Sequence, residues 1–279
     1  MSVRETKGFL GLELTSESWL QNHFRAKLPR RFQQLSNLPI SAGDRILDLC
    51  CGPGHYSEYY AQRVGTTGTV HAVDKDPALI DAAESRQRHL LLGDNIRYFC
   101  ADVSQIQSIP EIADERYDVI LFFNCLSYFR DPKSTIRQYV ALLRQGGRLI
   151  LKDSDFGHLL ISPLDAGLLH RVVEAAQKSP PLSFDNFLGR RLPALASSLG
   201  MSSSRIEIWS YPMHSPLSPE EHFYVSENLM SLMRQGQRLL SMDDVQHWTT
   251  MFSPDSADPL FLRTDFLFLM HEILTINLL

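Results

Sequence analysis

Arg45-Ile-Leu-Asp-Leu-Cys-Cys-Gly-Pro-Gly54 reads as a strand running directly into a glycine turn. Ile46 to Cys50 is apolar except for Asp48, the pattern of a strand covered on both faces. Gly52 and Gly54 let the backbone approach a ligand with no Cβ in the way. The helix that follows offers free N–H donors at its start. A second run, Thr69-Val-His-Ala-Val-Asp74, lies at the spacing of the next strand of an α/β unit and also ends on a carboxylate. Together they point to a nucleoside cofactor laid across the ends of parallel strands.

The pattern extends outward from this pair. His55 to Val64 reads as a helix and Gly65 to Gly68 as a turn. Asp76-Pro77 combines an N-cap with a proline at the first helical position, predicting a helix to about Leu92. Ile96 to Ala101 and Asp118 to Asn124 are the third and fourth strands. Asp131-Pro132 repeats the cap signature, for a helix to Arg144 ended by Gly146-Gly147, and Arg148 to Lys152 is the fifth strand. Nearly continuous apolar strands alternating with helices mark a parallel sheet with both faces covered. Ser162-Pro163, with Asp165, opens a further helix, and Phe184 to Leu199 reads as helix interrupted by Pro193. Arg205 to Tyr211 and Phe266 to Met270 are the last strands.

The segment between those two strands carries the helix starts Ser218-Pro219-Glu220-Glu221 and Ser241…Asp244. It is too long for a hairpin loop and too structured for a linker. It reads as a helical cap, with a structural flap or a dimerisation surface as alternatives, which leaves a homodimer open. Upstream, Glu17 to Leu28 reads as a helix with apolar Trp19, Leu20, Phe24 and Leu28, closed by Pro29. The expected fold is α/β, a Rossmann-like seven-stranded mostly parallel sheet with N-terminal helices and a helical insertion between the last two strands. The expected divisions are 1–43 (helical element, lid), 44–211 (core), 212–260 (cap) and 261–279 (final strand).

The chain has 279 residues, 44% of them hydrophobic, and a formal net charge of -5. That balance gives no electrostatic reason to expect nucleic acid or an anionic membrane as partner. Arg25, Lys27, Arg30 and Arg31 form the one obvious basic cluster, read as a solvated helix face. Cys50, Cys51, Cys100 and Cys125 include no CxxC pair, so buried reduced thiols are expected, with neither a disulfide scaffold nor a zinc site. No secretory signal is read at the N-terminus. Arg263, Asp265, His271 and Glu272 make the apolar C-terminal stretch too polar for a membrane span. The expected location is cytoplasmic.

The glycine turn separates two kinds of nucleotide site. A dinucleotide fingerprint needs a third glycine, where this chain has Ser57, and Asp48 would sit badly beside a pyrophosphate. A carboxylate there suits a cationic amine. Asp48-Leu49-Cys50-Cys51-Gly52-Pro53-Gly54 resembles the first motif of class I S-adenosylmethionine-dependent methyltransferases, acidic–x–Gly–x–Gly–x–Gly, with Cys50 at the first glycine. The resemblance is strong over about residues 40 to 153. It implies that Asp48 anchors the methionine amine, through water, and that Gly52 and Gly54 let the methionine and ribose lie against the backbone. Asp74 would accept the ribose hydroxyls, with Lys75 near the adenine or simply solvated. Asp102 would accept from the adenine amino group, Val103 would supply a backbone donor and an apolar contact, and Asn124 would lie near the transferable methyl.

The resemblance implies S-adenosylmethionine as cofactor, S-adenosylhomocysteine as product, and methyl transfer to an O, N or C nucleophile of a small acceptor. A general base is needed only where the acceptor must lose a proton. His158, Tyr128 and His214 are the candidates, with His222 and His23 behind them. Asp153 and Asp155 lack a matching second ligand set, so no metal is expected. The aromatic residues Trp19, Phe24, Phe156, Phe184, Phe187, Trp209, Phe223 and Tyr224 suit an apolar or aromatic metabolite. Two alternatives stay open, a noncatalytic cofactor-binding or protein-interaction module and an NAD-dependent oxidoreductase.

Overall fold

The computed structural model describes residues 7–8, 13–28, 30–90, 93–182, 184–256 and 259–279. The strands are β1 (Arg45–Leu49), β2 (Thr69–Asp74), β3 (Ile96–Cys100), β4 (Tyr117–Phe123), β5 (Leu143–Ser162), β6 (Ser202–His214) and β7 (Leu267–Leu278). They form one sheet in the order β3-β2-β1-β4-β5-β7-β6. The first five are parallel, and β7 runs antiparallel between β5 and β6. This is the expected Rossmann-like architecture. The order reverses at β1 and β4, so a crevice opens at their carboxyl ends.

The helix α3 (His55–Val64) opens on Gly54, and α4 (Pro77–His89) opens on Asp76, whose carboxylate accepts from the Ala78 N–H at 2.9 Å. The expected extension of α4 to Leu92 lies outside the described residues. Asp131 caps α6 (Pro132–Val140). That helix stops four residues short of Arg144, and the Gly146-Gly147 pair lies within β5. Two N-terminal helices, α1 (Glu17–Arg25) and α2 (Arg30–Ser36), precede the sheet, with Pro29 outside the described residues. A short α5 (Pro110–Ala113) lies between β3 and β4.

Three further differences lie beyond β4. β5 extends for 20 residues, past the expected end of the strand at Lys152, because antiparallel β7 supplies partners as far as Ser162. The N-cap of α7 (Ala166–Lys178) is Asp165, not Ser162. The expected helix from Phe184 shrinks to α8 (Leu192–Ser197), with Pro193 in its first turn.

The insertion between β6 and β7 forms α9 (Pro219–Gly236) and α10 (Met242–Phe252). Ser218 and Glu221 close a reciprocal capping box on α9. Residues Tyr224 to Met233 of α9 are buried without interruption, so it is a core helix covered on all sides. Gly236 permits its contact with α7, since a Cβ there would stand 2.7 Å from the Ala176 backbone nitrogen. Trp248 Nε1 of α10 donates to the Leu229 carbonyl at 2.9 Å. No described helix is long and apolar enough to cross a membrane.

Candidate active site

The crevice at the sheet's switch point is the mouth of a pocket walled by α1, α2, the β1–α3 turn and α9. On the β1 side, the turn carries a cysteine where the resembled motif has its first glycine. Cys50 adopts φ +60°, Gly52 +56° and Gly54 +80°. Cys50 and Gly52 line the pocket. Gly54 does not. Its added Cβ would stand 2.6 Å from the Tyr98 hydroxyl and 3.0 Å from Ala83 Cβ, so the missing side chain makes room for packing against β3 and α4.

Asp48 lies beneath the turn, buried, and accepts from the Ser57 hydroxyl at 2.5 Å. Burial pushes its carboxyl up to about 7, and nearby Asp74 adds to the rise. Asp74 lines the pocket and holds the turn, accepting from the Gly52 N–H at 2.9 Å and, through its other oxygen, from the Asp76 N–H at 3.1 Å. Each oxygen keeps a lone pair for a further donor. Lys75, Asp102 and Val103 also line the pocket, Lys75 being exposed. Asp102 closes an Asx turn, accepting from the Ser104 N–H at 2.7 Å.

Asn124 directly follows β4, with φ +54°, and lines the pocket. Its side chain is clamped, with Oδ1 accepting from Lys152 Nζ and Nδ2 donating to Glu272 Oε1 at 2.7 Å. Glu272 is fully buried and also accepts from Lys27 Nζ, Lys152 Nζ and, at 3.0 Å, the Tyr211 hydroxyl. The two flanking ammoniums hold its carboxyl well below the usual range against the effect of burial. Burial lowers Lys27 to about 7 and Lys152 to about 8.

The basic cluster of the N-terminal helices therefore needs correction. Arg25 and Arg30 are exposed as expected, but Lys27 and Arg31 are 2% and 1% exposed. Arg31 packs against the rings of Phe24 and Tyr56 and lines the pocket. The cysteines also differ in part from the expectation. All four are free, but Cys100 is exposed and Cys50 half-buried.

Among the catalytic candidates, Tyr128 lines the pocket beside Phe184, its hydroxyl pKa raised by burial. His158 is exposed on β5 and His214 is exposed at the end of β6; neither lines the pocket. The β5 extension carries His158 away along the sheet, and His214 bonds to the Ser215 carbonyl. His222 packs against Phe261, also outside the pocket, whereas His23 lines it. Burial and the neighbouring Lys27 keep His23 well below its ordinary pKa, so it is a neutral imidazole.

Trp19, Phe24, Phe184 and Tyr224 contribute to the aromatic wall as expected, whereas Phe156, Phe187, Trp209 and Phe223 pack behind it. Asp153 also lines the pocket, accepting from the Ser127 and Ser154 N–H groups at 3.0 and 2.9 Å. Burial lifts its carboxyl to about 6. Asp155 instead pairs with Arg190. Among the described residues no group of three His, Cys, Asp or Glu is arranged to hold a metal ion.

Sequence reasoning missed Arg31, Tyr56 and the Lys152–Glu272 pair. A signal existed for the last, since both residues share strand parity with buried neighbours, Lys152 with Ile150 and Glu272 with Met270 and Leu274.

A family model described as a methyltransferase domain matches residues 40–193. A ubiquinone biosynthesis O-methyltransferase from Xanthomonas euvesicatoria is 33% identical over 134 residues, 47% of this chain and 52% of that protein. The chain thus spans about half the length of the curated relatives it matches. The crystal structure of the YcgJ protein from Bacillus subtilis aligns with TM-score 0.54 and 16% identity, covering 89% of this chain and 97% of that one. A structure from Thiobacillus denitrificans, an S-adenosylmethionine-dependent methyltransferase in complex with S-adenosylhomocysteine, aligns with TM-score 0.51 and 15% identity, covering 89% and 92%. At such identities the structural likenesses establish the fold.

Proposed function

The chain belongs to the methyltransferase-domain family, and we propose that it transfers a methyl group from S-adenosylmethionine to an O, N or C nucleophile of a small apolar or aromatic metabolite. One observation carries this reading. Asp74, Asp102, Asn124 and the Gly52 turn border a single pocket at the carboxyl ends of four adjacent parallel strands, and aromatic side chains wall its other side. The donor set fits the cofactor. Asp74 has lone pairs left for a vicinal diol, and Asp48 is a buried carboxylate that an ammonium would favour in its charged form.

When bound, the cofactor supplies a methyl on a sulfonium whose charge already activates the leaving group. This chain's residues position, desolvate and accept a proton. Asp74 orients the nucleoside, and Asp48, buried beneath the turn and outside the pocket lining, would reach the amine through water. The clamp on the Asn124 side chain by Lys152 and Glu272 fixes the backbone at the end of β4. Trp19 of α1 stacks on Tyr224 of α9 at 6.2 Å, so the N-terminal helix and the inserted helix wall the acceptor side together and would limit access of water there. Where the acceptor must lose a proton, Asp153, raised to about 6, is matched to a general base near neutral pH, with Tyr128 beside it. We assign the protein to the cytoplasm, with a homodimer through the cap left to measurement.

The test is calorimetric titration with S-adenosylmethionine, S-adenosylhomocysteine and NAD in parallel. Saturable one-to-one binding of the sulfur nucleosides, with no NAD binding, is expected, followed by methyl transfer in a screen of phenols, carboxylic acids and amines. A folded sample that binds neither sulfur nucleoside overturns this reading. Tight binding with no transfer to any acceptor class moves weight to a noncatalytic module.

A further inference from the structure

Arg31 is 1% exposed, yet among the described residues no acceptor reaches its Nε or Nη2. A guanidinium does not discharge by losing its proton, so burial without a counter-ion is costly. The neighbouring carboxylate does not meet the need directly. Glu272 is already bonded to Lys27, Lys152, Asn124 and Tyr211. Beside Arg31, the Tyr56 hydroxyl is a second buried group with no partner, and both residues line the pocket.

The geometry of the orphaned groups identifies their ligand class. Nε and Nη2 form one edge of the guanidinium, two parallel N–H groups that match the oxygens of a carboxylate. Elsewhere in this chain that same edge is closed by a carboxylate. Arg171 donates from Nε and Nη2 to Asp244 at 2.9 and 2.7 Å, and Arg190 does so to Asp155 at 2.8 and 2.7 Å. Phe24 and Tyr56 hold the Arg31 plane, their ring centroids 5.0 and 5.2 Å away. The fork is thereby preorganised, with little side-chain freedom left to lose on binding.

We propose that Arg31 and Tyr56 form a carboxylate-binding subsite within the pocket. The proposal rests on the methyl-transfer reading and deepens it. The carboxylate has two sources, the aminoacyl end of the cofactor or an acid group on the acceptor, and they separate experimentally.

Wild-type protein, Arg31→Gln and Tyr56→Phe are titrated with S-adenosylhomocysteine, with 5′-methylthioadenosine, which lacks the aminoacyl group, and with benzoate and benzamide. The last two are run on both free and S-adenosylhomocysteine-loaded protein. The expected result is a loss of at least about tenfold in Arg31→Gln and a severalfold loss in Tyr56→Phe, for a carboxylate probe only. Loss confined to S-adenosylhomocysteine assigns the cofactor's carboxylate. Loss confined to benzoate, with benzamide indifferent, assigns the acceptor's. Equal losses on carboxylate-bearing and carboxylate-free probes, or no loss on any, overturn the subsite. Tyr56→Phe removes only an unpartnered hydroxyl, so it carries the test if Arg31→Gln fails to fold. Wild-type protein that binds neither nucleoside defeats the cofactor reading instead, and carboxylate-independent binding in the benzoate arm then overturns the subsite on its own.

Discussion

Replacing Glu272 by glutamine removes the negative charge that compensates Lys27 and Lys152 while keeping the side chain's shape. The site has no exposure, so water cannot take the carboxylate's place. Removing one partner of a buried pair costs about 3–5 kcal/mol. The low end applies here, because the lysines have a way out. Lys27 already titrates at about 7 and Lys152 at about 8, so losing a proton costs either of them little. Unfolding 279 residues at about 2.1 cal/mol/K per residue carries roughly 0.6 kcal/mol/K, so a loss of about 3 kcal/mol lowers Tm by about 5 °C.

The pH dependence carries a sign that simple packing loss would not. Glu272 is depressed in the folded state, so its contribution is present above the unfolded carboxyl range and lost as pH falls through its folded value. In the wild type the two lysines discharge as pH rises through about 7 and 8, which also removes the attraction. The Tm gap between wild type and Glu272→Gln is therefore largest between about pH 5 and 7 and narrows on both sides. Calorimetric or fluorescence-monitored melting from pH 3 to 9 measures it. A gap under about 1 °C at pH 6, or one flat across that range, would refute the reasoning. The double variant Lys152→Met/Glu272→Leu, which replaces charge with apolar volume, is expected to recover part of the loss.

Asp48 is raised to about 7 in the free protein, so the stability linked to its protonation is full at low pH and lost as pH rises through that value. A bound ammonium favours the ionised form, so S-adenosylhomocysteine affinity by calorimetry should rise as pH increases through about 7. In Asp48→Asn it should be weaker by at least about tenfold and lose that rise. Gly54→Ala places a Cβ at φ +80° and 2.6 Å from the Tyr98 hydroxyl, so Tm should fall by about 2–4 °C, corresponding to roughly 1–2 kcal/mol. An unchanged melting curve would mean that α3 shifts freely on α4. Gly236→Val drives a side chain into the α7 backbone at Ala176 and should cost more than about 2 kcal/mol in urea unfolding. Asp153→Asn should lower kcat with phenolic acceptors and leave S-adenosylhomocysteine affinity within about twofold, and equal loss of both would remove its role as base.

Local chemistry is legible in consecutive residues. Continuous apolar runs gave β1 to β4 within a residue or two, Asp-Pro and Ser-Pro pairs marked the starts of α4, α6 and α9, and the acidic glycine motif marked a turn that borders the pocket. These features depend on dihedral preferences and capping within a few residues, which the chain states directly. β5 was read too short because its outer half is a strand only by virtue of β7, more than a hundred residues away.

The acceptor side was less legible for the same reason. His158 lies six residues past Lys152 in the chain, but the strand's continuation carries it to the surface. Arg31 and Lys27 read as a solvated basic face, since no carboxylate near them in the chain offers a counter-charge. Their partners arrive from α3, β6, β7 and α9, in Tyr56, Tyr211, Glu272 and Tyr224. The sequence by itself therefore determined the sheet and the cofactor edge, where strand periodicity and turn chemistry act over short range. Only the tertiary structure decided which charges are buried and what faces the acceptor, because desolvation and pairing depend on which distant segments exclude water from a side chain.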